Sequence, residues 1–116
     1  MHHILDEVSY LSTLDRFDSG DRLRADETLS RAVVRSLEVI GEAASKLDSS
    51  FRALHPQIAW ARMIAIRNRL IHDYMGINFN IVVDVLNNEI PVLRGQIETI
   101  LSDLESDTTD SPELDA

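Results

Sequence analysis

No cysteine occurs in this chain, which excludes disulfide staples and thiolate metal sites alike. Long apolar runs are missing too. Arg67, Asn68 and Arg69 interrupt the most hydrophobic stretch, well short of the roughly 20 residues needed to cross a bilayer. The N-terminus carries no basic segment followed by an apolar leader, and His2 and His3 read equally as native residues or as the remnant of an added tag. A cytoplasmic protein with no membrane span is expected. There is no internal repeat, no glycine-rich phosphate loop, no Glu-x-x-His pair of the kind that builds a di-metal bundle, and no His-Glu-x-x-His zinc helix. Neither a metal nor a nucleotide cofactor is expected.

Positive charge is scarce. Eleven Lys and Arg against 20 Asp and Glu leave a net charge of −9, which speaks against an ordinary nucleic-acid-binding surface. The distribution is uneven, however. Residues 52 to 74 hold Arg52, Arg62, Arg67 and Arg69 against Asp73 alone, a local +3 set in a remainder of −12. From Asp103 to Ala116 there are six acids and no base, with Ser, Thr and Pro between them. Such a composition cannot bury enough surface to order itself. One helical domain over residues 1–104 and an acidic, disordered tail over 105–116 are therefore expected.

The apolar residues that remain recur at helical spacing. Ile4, Leu5, Val8, Leu11 and Leu14 mark a first helix, ended by Asp18-Ser19-Gly20-Asp21. Asp26 or Thr28 can cap a second, whose Leu29, Val33, Leu37, Ile40, Ala44 and Leu47 share one face. Phe51 to Ile58, with Pro56, reads as a turn or a single helical turn. A third helix over about 59–75 is apolar around most of its circumference, which predicts a central position, and Gly76 stands where a left-handed cap is wanted. Asn80 can cap a fourth helix that runs to Leu104 and that Pro91 must kink or divide. The fold predicted is all-α, an up-and-down bundle of four to five helices.

Chemistry concentrates on the third helix. Arg67 falls among Ile64 and Ile71, where a guanidinium is costly unless a carboxylate, a phosphate or a wet cleft meets it. Taken alone, it reads more readily as an ion pair with Glu38 or Glu42 of the second helix, or as an Arg snorkelling at a dimer seam. His72 lies five residues on, about 140° around and about 7.5 Å along the helix, in its last turn. By itself it is an ordinary surface residue. Together, the pair supplies what RNA cleavage by a 2′-hydroxyl requires, a group that moves protons and a fixed cation for the extra phosphate charge. Tyr74 returns to nearly the same face as Arg67 and doubles as a core aromatic with its hydroxyl at the rim. Asn68 can orient a phosphate or bond a neighbouring backbone.

The segment IRNRLIHDY, Ile66 to Tyr74, resembles the signature of the HepT-like toxins, a DUF86-type branch of the HEPN ribonuclease superfamily. Val33 to Ala44 (VVRSLEVIGEAA), His55 to Trp60 (HPQIAW) and Asn88 to Ile97 (NEIPVLRGQI) resemble the family's second helix, connector and last helix, in order, so the likeness covers about residues 4 to 104. The resemblance implies Arg67 and His72 as the catalytic pair, Asn68 as their polar support, and Tyr74 as the residue on which a minimal nucleotidyltransferase antitoxin places AMP. It further implies a homodimer, RNA as substrate, and a type VII-like toxin–antitoxin system with a metal-independent endoribonuclease as toxin. A second reading makes the chain a non-catalytic binding partner or regulatory subunit of a nucleotidyltransferase, with Arg67 and His72 serving that interface.

Overall fold

A computed structural model describes residues 2–14, 16–72 and 76–109, with backbone alone for residue 2 and residues 105–109. The described chain is all helical: α1 (His2–Ser12), α2 (Asp21–Ala25), α3 (Glu27–Ser45), α4 (Ser49–Leu54), α5 (Trp60–His72), α6 (Phe79–Asp84), a π-helical turn (Val85–Glu89) and α7 (Ile90–Thr109). Four long rods, the last assembled from α6, the π turn and α7, make the expected all-α bundle, and α2 and α4 are short connectors. Among the described residues no helix is long and apolar enough to cross a membrane.

Burial follows the 3.6-residue repeat. Val33, Leu37, Ile40 and Ala44 of α3 are buried in one cluster with Ile4, Val8 and Leu11 of α1 and Ile97 and Ile100 of α7. α3 begins where Asp26, in an extended conformation, accepts a 2.9 Å hydrogen bond from the Leu29 N–H, so the cap is Asp26 rather than Thr28. α2 was not foreseen, because the polar cluster before it reads as a plain breaker. It forms because Leu23 and Phe17 reach the core and because Gly20, which donates to Asn80 Oδ1 at 3.1 Å, lets the chain lie against Phe79. A Cβ at Gly20 would come within 2.9 Å of the Phe79 backbone.

Two expectations at helix ends are corrected. Asn80 does not cap the last rod: the helix starts at Phe79, so the capping oxygen belongs to Asn78, which accepts from the Asn80 N–H at 3.0 Å. Asn80 is thereby released to hold Gly20. No glycine among the described residues has a positive φ, so the left-handed cap expected at Gly76 is absent.

Pro91 leaves its mark as a π turn immediately before it. Proline cannot donate to the carbonyl four residues back and its ring crowds that group, and one wide turn accommodates both defects without a break. The extra residue also rotates what precedes it. Asn87 is turned onto the loop after α1, where it accepts from the Phe17 N–H at 3.1 Å and donates to the Phe17 carbonyl at 2.7 Å. α7 remains helical to Thr109, past Leu104.

Candidate functional site

α5 does not occupy the centre of the bundle. It packs on α3 along Trp60, Met63, Arg67 and Leu70, while Ala61, Arg62, Ala65, Asn68, Arg69, Ile71 and His72 are exposed. Ile71, expected in the apolar stripe, is half exposed, because one turn beyond Arg67 the helix passes the covered part of its face. Its N-terminal end is fixed by an aromatic cluster. The Trp60 indole donates to the His55 carbonyl at 3.0 Å, and Phe51 lies 4.8 Å from the His55 ring and 6.4 Å from the Trp60 ring, the latter edge-on.

At Arg67 the two helices α3 and α5 approach closely. Gly41 of α3 has no room for a side chain: a Cβ there would overlap Arg67 Cβ, lie 2.7 Å from the Met63 carbonyl oxygen and 3.0 Å from Arg67 Cγ. The Arg67 stem therefore rests on bare α3 backbone, and only 16% of the side chain is exposed. Its head is held at two points: Nε donates to Asn68 Oδ1 at 2.8 Å, and Nη1 donates to the Glu42 carboxylate, one residue beyond Gly41. The other Glu42 oxygen lies 3.5 Å from Lys46 Nζ. A guanidinium has five N–H donors. With two committed, both protons of Nη2 and one of Nη1 are left for a further acceptor.

The structure thus joins Arg67, Asn68 and Glu42, and chooses Glu42 over Glu38 as the carboxylate that meets Arg67. His72 stands on the exposed end of the same helix and has no side-chain hydrogen bond or ion pair to the described residues. Tyr74 lies outside the described residues, as does Asp73. Among the described residues no three His, Asp or Glu side chains gather as metal ligands would.

Two contributors escaped the sequence reading. Gly41 is one, and a signal for it existed: an interior helical glycine costs roughly 1 kcal/mol relative to alanine and calls for a packing reason. The other is Glu89, which the π turn aims at Arg62 of α5 in a bidentate pair, Nε and Nη2 each 3.0 Å from a carboxylate oxygen. These hydrogen bonds raise the Arg62 guanidinium above its usual range, outweighing burial, with the Glu89 and Asp84 charges adding to the effect. Sequence spacing carries no trace of a contact between residues so far apart.

Comparison with known proteins places residues 4–100 within the family model described as "Ribonuclease HepT-like". The chain is 39% identical over 101 residues to "Putative RNase TTE0752" of Caldanaerobacter subterraneus subsp. tengcongensis, covering 87% of this chain and 90% of that protein. It is 35% identical over 111 residues to "Putative RNase MJ0127" of Methanocaldococcus jannaschii (96% and 92%). It is 37% identical over 100 residues to "Probable ribonuclease HepT" of Thermococcus cleftensis (86% and 91%). No solved structure matches it.

The seam at Gly41 gives a direct test. Gly41→Ala gains roughly 1 kcal/mol of helix propensity but overpacks a contact that includes backbone, at a cost of 1–3 kcal/mol. A net loss of about 1 kcal/mol is expected in urea denaturation, whereas a gain in stability would show that α3 and α5 do not meet there.

Proposed function

The chain belongs to the HepT-like ribonuclease family, and we propose that it is a metal-independent endoribonuclease, the toxin of a toxin–antitoxin pair. The observation that carries this reading is the setting of Arg67. Its stem is fixed on Gly41, its head is steered by Asn68 and Glu42, and donors remain on the same helix that carries His72. Structural support for α5 alone would be served as well by an apolar side chain. A fixed cation with unspent donors suits a phosphate whose charge increases during reaction.

In the proposed reaction the RNA 2′-oxygen attacks the adjacent phosphorus and the bond to the 5′-oxygen breaks. The products are a 2′,3′-cyclic phosphate and a 5′-hydroxyl. His72 acts as general base toward the 2′-hydroxyl or as general acid toward the departing 5′-oxygen, and the second proton is exchanged with water or with His72 of a second copy. Arg67 neutralises the non-bridging oxygens, and Asn68 keeps the guanidinium plane aligned. A symmetric homodimer that shares one cleft would double the local positive charge and reconcile RNA binding with a net charge of −9.

Control is assigned to Tyr74, two residues beyond His72. A minimal nucleotidyltransferase antitoxin would transfer AMP from ATP to its hydroxyl with release of pyrophosphate, placing bulk and negative charge where the substrate phosphate must enter.

Cleavage of a defined RNA should persist in EDTA and yield the cyclic phosphate by mass spectrometry, and His72→Ala should lower the rate by about 10²–10⁴ without loss of helical signal. Dependence on added metal, or an active His72→Ala, would overturn the mechanism. Incubated with the cognate nucleotidyltransferase and ATP, the wild-type protein should gain adenylate mass at Tyr74 and lose cleavage in proportion. Tyr74→Phe should cleave and resist silencing. Neutralisation with Tyr74 unmodified would instead mean that the antitoxin acts by covering the site.

A further inference from the structure

A depression of about 480 Å³ lies at the junction of α4 and α5, bordered by Ser49, Arg52, Ala53, Pro56, Ala61 and Arg62. None of the residues that line it is acidic, although acids outnumber bases almost two to one in the chain. Its two arginines differ in one respect. Arg62 is neutralised by the bidentate pair with Glu89. Arg52 makes no ion pair with the described residues, and its buried Nε has no hydrogen-bond partner. The sealed Nε is out of a ligand's reach, but the guanidinium charge has no counter-ion among the described residues, so an anion at its open side is the expected complement. The position is rigid, because Phe51, next to Arg52, belongs to the aromatic cluster that clamps α4 to the start of α5.

Ala61, on the rim, connects this depression to the candidate active site. Ala61, Ala65, Asn68 and His72 follow one another at four, three and four residues and so share one face of α5, and all four are exposed. That open face is about 16 Å long, a span of several nucleotides. A strand laid on it would have one phosphate beside Asn68 and His72 and another at Arg52.

We propose that the depression beside Arg52 binds a backbone phosphate of the RNA, away from the scissile one. Arg52 is then the outer anchor of a strand that crosses the Ala61–His72 face. This inference rests on the ribonuclease reading, yet it concerns binding rather than the bond-breaking step. Arg52 therefore affects long substrates and leaves the shortest alone.

The test uses the full-length protein and a labelled RNA oligomer whose 2′-hydroxyls are methylated, so that it binds without being cut. Anisotropy titrations over a range of KCl concentration should show Arg52→Gln binding several-fold more weakly, with the salt slope shallower by about 0.7, one single-strand phosphate contact. Arg52→Lys, which keeps the charge, should recover the slope. A dinucleotide substrate should be cleaved by Arg52→Gln at the wild-type rate, while an unmodified oligomer shows a raised KM. An unchanged salt slope, an equal loss on dinucleotide and oligomer, or a changed oligomeric state in Arg52→Gln would each overturn the subsite while leaving the ribonuclease reading intact. Failure of the wild-type protein to bind or cut any RNA would remove both.

Discussion

The close approach of α3 and α5 at Gly41 is the constraint on which the candidate site depends. Without a side chain at residue 41, the α3 backbone lies against the Arg67 stem, and Glu42 is brought within reach of its head. A guanidinium taken largely out of water is normally a liability. Here the partner carboxylate is half exposed and shared with Lys46, so the pair is neither deeply desolvated nor left to wander. Gly41 lowers the helix propensity of α3, and the return is an arginine with a defined orientation and donors to spare.

The last rod serves the same end from the other side. Pro91 imposes a π turn, and the rotation it introduces sends Asn87 to the Phe17 backbone and Glu89 to Arg62. A straight α-helix through these residues would direct those two side chains elsewhere, since one added residue shifts the phase by about 100°. The bundle is thus closed by a few specific polar contacts laid over an ordinary apolar core, and one of them, Arg62 with Glu89, fixes α5 near its N-terminal end.

Much of this was legible in the sequence because it is local. The stripe Val33, Leu37, Ile40, Ala44, a cap at Asp26 or Thr28, the disturbance at Pro91 and the placement of Arg67 and His72 on one helix all follow from periodicity and capping chemistry. Glu38 or Glu42 was expected to meet Arg67 because a buried cation needs a carboxylate, and the choice of Glu42 is the structure's. Tertiary choices were not legible. α5 was expected at the centre from its all-round hydrophobicity, but Ile71 and the alanines face outward. The cap expected of Asn80 falls to Asn78 because a two-residue shift of the helix start costs little. The pairing of Arg62 with Glu89 depends on the phase change at the π turn, which spacing alone cannot reveal.

In the proposed function Arg67 is kept in the α3–α5 seam for chemistry rather than for stability. Arg67→Met separates the two, since methionine refills the space over Gly41 without charge and leaves Glu42 half exposed beside Lys46. RNA cleavage and urea unfolding should be measured on the same preparation. Cleavage should fall by at least about 10²-fold while stability changes by less than about 1 kcal/mol. Cleavage retained at the wild-type level, or lost only in step with the fraction unfolded, would contradict that role.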